Sequence, residues 1–293
     1  MRKVCFLFLA LGFSSLLHAQ INLVINGGKP VKYEDLDKGM LRIFYETVSV
    51  KDSLKPEKSQ ETDYQVLEIG EKGISRFYSD NRRIQDSIVA ELVKINPQRI
   101  DMTQAMKDRG LTSTGDPQEI YKNYPAGEMT VTDHILSSAY LYKEPLGGMQ
   151  WQMTADTMTV LSYLCQKAII AFRGRQYEAW FAPELPISDG PWKFTGLPGL
   201  ILAIEDAAHH YRFKAIGLET LTSPVRFLKK DYIQTSRKDV GKIQRRFAED
   251  PMGFITNSMS GTGTNVKIKM MDENGVEKTA DEMKFPYNPI ELE

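Results

Sequence analysis

Few residues in this sequence are equipped for catalysis. Beyond the first twenty positions the histidines are His134, His209 and His210, and the one thiol is Cys165. Cys165 beside a histidine could form a thiol nucleophile pair. It falls, however, in an apolar, strand-like run, where a low thiol pKa is not favoured. Adjacent residues on a strand point to opposite faces, so neither His209 with His210 nor Glu205 with Asp206 is arranged to share a metal or a proton. There is no Gly-x-Ser-x-Gly elbow, no His-Glu-x-x-His and no cysteine-pair framework, and no Lys-Ser or Lys-Thr pair follows a glycine-rich turn. The expectation is a chain without catalytic activity, metal or cofactor; the catalytic alternative is a hydrolase using Cys165 or His209.

Binding chemistry is better represented. Trp151, Trp180 and Trp192 are the three tryptophans, and they share one block of sequence with Phe172, Phe181 and Phe194. Aromatics at this density form a core or a sheet-covering loop. Read functionally, they wall an apolar pocket for a lipid, a peptide or a hydrophobic small molecule. Arg173 and Arg175 share strand parity if the chain is extended there, and could grip an anionic group in bidentate fashion. The structural alternative is that they cap a hairpin or pair with Glu178. With 37 basic against 38 acidic residues, the chain has no electrostatic case for nucleic acid or anionic membrane.

Strands must position these groups. Leu41–Val48 is β-branched and aromatic, and Asp63–Ile69 with Ile74–Tyr78 predicts a hairpin across Gly70–Gly73. The period then changes: Ile84, Ile88, Val89, Leu92 and Ile95 recur at helical spacing behind a capping Asp80. Residues 80–118 read as a helical insertion. Strand composition returns over Tyr121–Ile135, Ala139–Tyr142 and Met149–Met153, then as one long strand over Met158–Phe172. Arg173-Gly174-Arg175 turns the chain into Gln176–Phe181. Three prolines argue against a strand over 182–195. Leu200–Glu205 and Tyr211–Leu218 form a further hairpin, and Arg237–Phe247 a basic amphipathic helix. After Gly261 the chain is polar, with one short strand near Val266–Met270.

The opening residues have the layout of a secretory signal peptide: Arg2 and Lys3, an apolar run from Cys5 to Leu17, and a small residue, Ala19, at the cleavage point. The run is shorter than the roughly 18–20 residues of a spanning helix, and no cysteine follows it to carry a lipid. Residues 1–19 are therefore expected to be removed, leaving no transmembrane anchor and taking the formal charge from −1 to −3. One remaining thiol cannot form an internal disulfide. The expected organisation is one mostly antiparallel β domain over 20–260 with an extended tail over 261–293. The expected address is the periplasm, with release outside the cell as the alternative.

One run is specific. Gly196-Leu197-Pro198-Gly199-Leu200-Ile201 spells GLPGLI. It is preceded by Cys165-Gln166-Lys167-Ala168, Phe172-Arg173-Gly174-Arg175, Glu178-Ala179-Trp180-Phe181 and Gly190-Pro191-Trp192-Lys193-Phe194. The chain thus resembles the GLPGLI family of exported Bacteroidota proteins over about Trp151–Leu218. That resemblance implies an address and no particular reaction. Leu197-Pro198-Gly199-Leu200 suits a type II turn, with Gly199 at positive φ and Gly196 permitting close backbone approach. Such a loop launches a buried strand; functionally it would floor a cavity. The expected fold is mainly β with minor α: a curved antiparallel sheet, open as a half-barrel like that of lipoprotein carriers, with one or two helices. A closed barrel is the alternative. The expected role is binding or carrying a hydrophobic ligand or peptide segment, the rival being an accessory partner of an outer-membrane protein assembly.

Overall fold

The computed structural model describes residues 32–95, 105, 108–110, 114–136, 138–260 and 284–292. The signal segment, the strand near Val266–Met270 and most of 96–113 lie outside these residues. The described chain forms two compact units, one drawn from 32–80, 115–237 and 288–293 and the other from 81–114 and 238–287.

The first unit is a sheet. Its strands are β1 (Lys32–Asp37), β2 (Gly39–Val50), β3 (Gln60–Gly70), β4 (Ser75–Ser79), β5 (Glu119–Lys122), β6 (Glu128–Ile135), β7 (Ser138–Pro145), β8 (Gln152–Val160), β9 (Tyr163–Phe172), β10 (Arg175–Ala182), β11 (Leu200–Asp206), β12 (Tyr211–Thr220), β13 (Val225–Lys229) and β14 (Ile233–Gln234). Twelve form one sheet in the order β14-β7-β6-β5-β4-β3-β2-β12-β11-β10-β9-β8. Two meanders, β2 to β7 and β8 to β12, are joined where β12 pairs with β2, Phe213 opposite Thr47. Every pairing is antiparallel except the short parallel contact of β14 with β7. The sheet is curved, and among the described residues its two outermost strands are β14 and β8. It is therefore the expected half-barrel and not the closed barrel held as the alternative.

Sequence and structure differ at two connections. The long strand over Met158–Phe172 is a tight hairpin: Leu161 and Ser162 take φ of 48° and 71°, and β8 folds back on β9. Two consecutive left-handed residues are the geometry of a primed two-residue turn, but neither Leu nor Ser advertises it. Tyr121–Ile135 is likewise broken, at 123–127, into β5 and β6. By contrast, Arg173 and Gly174, at φ of 50° and 78°, form the anticipated turn into β10.

Register defines a single inner face. Across β9 to β7 it carries Ile170 and Phe172, Tyr177 and Arg175, Ile204 and Asp206, Phe213, Tyr45, Leu67, Phe77, Ile120 and Lys122, Val131, and Tyr142 with Glu144. The middle of this face is fully buried. On the opposite face the β1–β13 ribbon brings Phe227 against Tyr121 and Leu141, with Leu36, Tyr124 and Tyr232 around them. Beneath it Arg76 is buried against Glu119 and stacks 4.2 Å over the Tyr78 ring.

The second unit is helical: α1 (Asp80–Ile95), α2 (Arg237–Glu249) and α3 (Pro251–Ser260). Asp250 ends α2 and opens α3, its carboxylate accepting the Gly253 N–H at 2.8 Å with Pro251 in the first helical position. Phe247 packs on Phe254 and Phe285, and the Phe285 N–H donates to the Ala248 carbonyl.

Candidate functional site

Between β10 and β11 the chain makes a long excursion, 183–199, whose prolines keep it out of the sheet. It lies on the inner face, where one lysine of β5 binds three points of it. Lys122 Nζ donates to Asp189 Oδ1 at 2.5 Å, to the Gly190 carbonyl at 2.6 Å and to the Phe194 carbonyl at 3.1 Å. Three acceptors match the three donors of an ammonium. Burial still holds the Lys122 pKa below its usual range, opposed by Asp189. The Thr195 hydroxyl donates to the Ser188 carbonyl, and the Trp151 indole N–H to the Thr195 carbonyl at 2.8 Å. The ring of Phe194, with no exposed surface, then sits among Trp151, Phe172, Tyr177, Trp192 and Phe213 at centroid separations of 4.8–6.5 Å. Trp192 is 4% exposed. These aromatics fill the inner face as core.

The GLPGLI run launches β11, burying Leu197, Leu200 and Ile201, while Pro198 is exposed. Its glycines exchange the expected roles. Gly196 takes the positive φ, 97°, and Gly199 does not. At Gly199 a Cβ would meet the Ala182 carbonyl oxygen at 2.3 Å, so that position needs the close approach. The expected type II turn with Gly199 at positive φ is absent, because the chain enters pairing with β10 directly at Leu200.

Beside the aromatic core lies a charged cluster. Glu144 of β7 accepts Lys193 Nζ at 2.6 Å and Arg173 Nη2 at 2.6 Å, and Arg237 Nε lies 3.2 Å away. Lys193 is 1% exposed and also reaches Tyr142 Oη. A second carboxylate enters from the segment 288–292: Glu291 lies 2.8 Å from Lys193, 3.5 Å from Arg173 and 3.9 Å from Arg237.

That segment bends at Ile290 and is held largely by its main chain. Arg175 donates to the Pro289 carbonyl at 2.7 Å, the Ile290 carbonyl at 3.1 Å and Asn288 Oδ1 at 2.8 Å. Its remaining N–H groups go to Asp206 at 2.8 Å and to His210 Nδ1 at 3.4 Å, the latter as acceptor. All five guanidinium donors are thus used, three of them on the segment. Tyr211 Oη donates to the Asn288 carbonyl and Tyr177 Oη to the Ile290 carbonyl, while the Leu292 N–H donates to the Arg173 carbonyl at 3.0 Å. Burial raises the pKa of both phenols, so each stays a donor at neutral pH.

Of the residues singled out in the sequence, Arg173, Arg175, Trp151, Trp192 and Phe194 converge here. Trp180 does not: in β10 it has the opposite parity to Arg175 and Tyr177, and its ring lies under Lys167 on the other face. Arg173 pairs with Glu144 across the sheet and not with Glu178, which takes Lys167. Cys165 is fully buried, and burial pushes its thiol up. His209 meets Glu205 at 3.1 Å in an exposed turn. Among the described residues no group of three or more His, Cys, Asp or Glu side chains could hold a metal, and no helix is long and apolar enough to cross a membrane. Sequence reasoning missed Lys122, Lys193, Glu144, Tyr177, Tyr211 and the segment 288–292. Lys193 alone carried a signal, as a charge inside the Gly190–Phe194 run.

The model of a protein family of unknown function, Porph_ging, matches residues 173–203. This stretch takes in the Arg173 turn, β10, the excursion and the GLPGLI run, and the match fits a family associated with Bacteroidota. Among curated proteins none matches the chain significantly. Of solved structures, PNGF-II in one crystal form is similar at 10% identity and a TM-score of 0.48, over 70% of this chain and 32% of that one. A second crystal form gives 11% identity and a TM-score of 0.46 over the same shares. The chain therefore spans about a third of the length of PNGF-II.

Proposed function

We propose that this is an exported envelope protein that binds, without catalysis, a peptide segment on the inner face of its half-barrel. One observation carries the reading: that face holds residues 288–292 by donating to successive carbonyls from Arg175, Tyr177 and Tyr211. Recognition of the main chain accepts many side chains, because every residue carries a carbonyl. A small apolar ligand is the poorer fit, because Trp192 and Phe194, expected to line its cavity, are packed as core. Export, and the periplasm as the address, rest on the Arg2-Lys3 and Cys5–Leu17 pattern.

Native mass spectrometry of the full chain carrying Asn288→Ala tests the reading. The change removes the Asn288 contacts to Arg175 and to the Val50 carbonyl and so loosens the resident segment. Mixed with eight-residue peptides of unrelated sequence, the variant is expected to form one-to-one adducts. These should disappear when Tyr177 and Tyr211 are both changed to phenylalanine. Adducts with extracted phospholipid and none with peptides would refute the proposal in favour of a lipid carrier. Adducts with neither would refute it in favour of an accessory role in an outer-membrane assembly.

A further inference from the structure

The main-chain contacts place a segment but do not choose it; the charged cluster does. Arg173, Lys193 and Arg237 face Glu144 and Glu291, three cations against two carboxylates. Glu144 belongs to β7 and is fixed, whereas Glu291 is supplied by the segment. Without Glu291, Lys193, which is 1% exposed, would lose one of its two acidic partners. A buried ammonium is costly to leave under-paired, so an occupant that brings a negative charge to this point is favoured.

The resident carboxylate meets that demand incompletely. Arg173 Nε is buried and has no hydrogen-bond partner, its nearest carboxylate oxygen being Glu291 Oε1 at 3.5 Å. A carboxylate a few tenths of an ångström deeper would complete the fork that Arg173 offers.

We propose that Arg173, Lys193 and Arg237 form a carboxylate-selecting subsite. Its ligand is a peptide segment carrying an acidic side chain one residue beyond the pair of carbonyls held by Arg175, and Glu291 is the occupant supplied in cis. This rests on the peptide-binding reading and adds the class of peptide to it. The main chain sets the register through Arg175, and the subsite then tests one side chain. An acidic peptide from another chain competes with residues 288–292 for the same place.

The test uses the full chain with Glu291→Gln and two amidated peptides: one with the sequence of residues 286–292, and a twin with glutamine at the place of Glu291. Binding is followed by fluorescence polarisation, and occupancy by hydrogen exchange at the Leu292 amide, which donates to the Arg173 carbonyl. The expected results are faster exchange at Leu292 and a preference for the acidic peptide of about tenfold or more, the usual worth of a charge-assisted hydrogen bond. Equal binding of both peptides would overturn the subsite and leave the peptide-binding reading standing. Binding of neither, with Leu292 as protected as in the parent, would overturn both and make 288–292 a fixed clasp. If Glu291→Gln does not fold, Asn288→Ala serves as the receiver for the same two peptides, and each outcome carries the same meaning.

Discussion

Lys122→Met is the most demanding perturbation of the scaffold, because one buried ammonium ties three points of the excursion to β5. Lys122 and Asp189 have side chains 3% and 10% exposed. Removing the ammonium leaves the Asp189 carboxylate with the Gly190 N–H at 2.7 Å as its remaining polar contact, and strips a donor from the Gly190 and Phe194 carbonyls. Breaking a buried pair from one side costs about 3–5 kcal/mol, a large share of the roughly 5–15 kcal/mol that stabilises a domain. Asp189→Asn, which strands the lysine instead, should cost a similar amount. The double variant, with neither charge, should cost about 3 kcal/mol or more less than the sum of the two. Urea unfolding followed by tryptophan fluorescence measures all three, since Trp192 sits in the excursion itself. Additive single costs, or a cost below about 1 kcal/mol for Lys122→Met, would refute the view that this pair anchors the loop.

The two motif glycines should respond in a definite order. Gly199→Ala forces a Cβ onto the Ala182 carbonyl and should cost about 3 kcal/mol, while Gly196→Ala, with ordinary space around it but φ of 97°, should cost about 1–2 kcal/mol. The reverse order in urea unfolding would show the roles misassigned. Asp63 predicts a pH dependence: burial lifts its pKa from 3.8 to about 6, against the hydrogen bonds it accepts from the Asp116 and Tyr64 N–H groups and the Ser79 hydroxyl. The folded state therefore favours the protonated form. The resulting stability is complete below about pH 4 and is lost as pH rises through 6, to a total of about 3 kcal/mol. Asp63→Asn should flatten this part of the stability profile, and an unchanged slope would assign it to other groups.

How far the site could be read from sequence depended on the range of the interaction. Local information was good: the hairpin across Gly70–Gly73, the turn at Arg173-Gly174 and the prolines of 183–199 each announce their geometry within a few residues. Alternation also separates the faces of β10, but only once its start at Arg175 is known, and Trp180 falls on the wrong face for that reason alone. The hairpin at Leu161-Ser162 escaped because neither residue type signals positive φ. The Asp250-Pro251 pair that opens α3 was legible in principle, as a cap followed by a first-turn proline.

What sequence could not supply was the long-range pairing. Lys122 meets Asp189 across 67 positions, Lys193 meets Glu291 across 98, and Arg175 meets Pro289 across 114. No period or motif links such residues; only the curvature that brings β5, β7 and β10 around one face does. The near-neutral charge of the chain concealed the outcome as well. It argues correctly against an exposed basic surface, yet it says nothing about three cations gathered around one buried glutamate. Such a cluster is centred on a lysine 1% exposed, with its two arginines 27% and 24% exposed, so it contributes less to long-range attraction than to choosing among segments already docked. That division is what the Glu291→Gln experiment measures: the carbonyl contacts determine whether a peptide lies on this face at all, and the cluster determines which one remains.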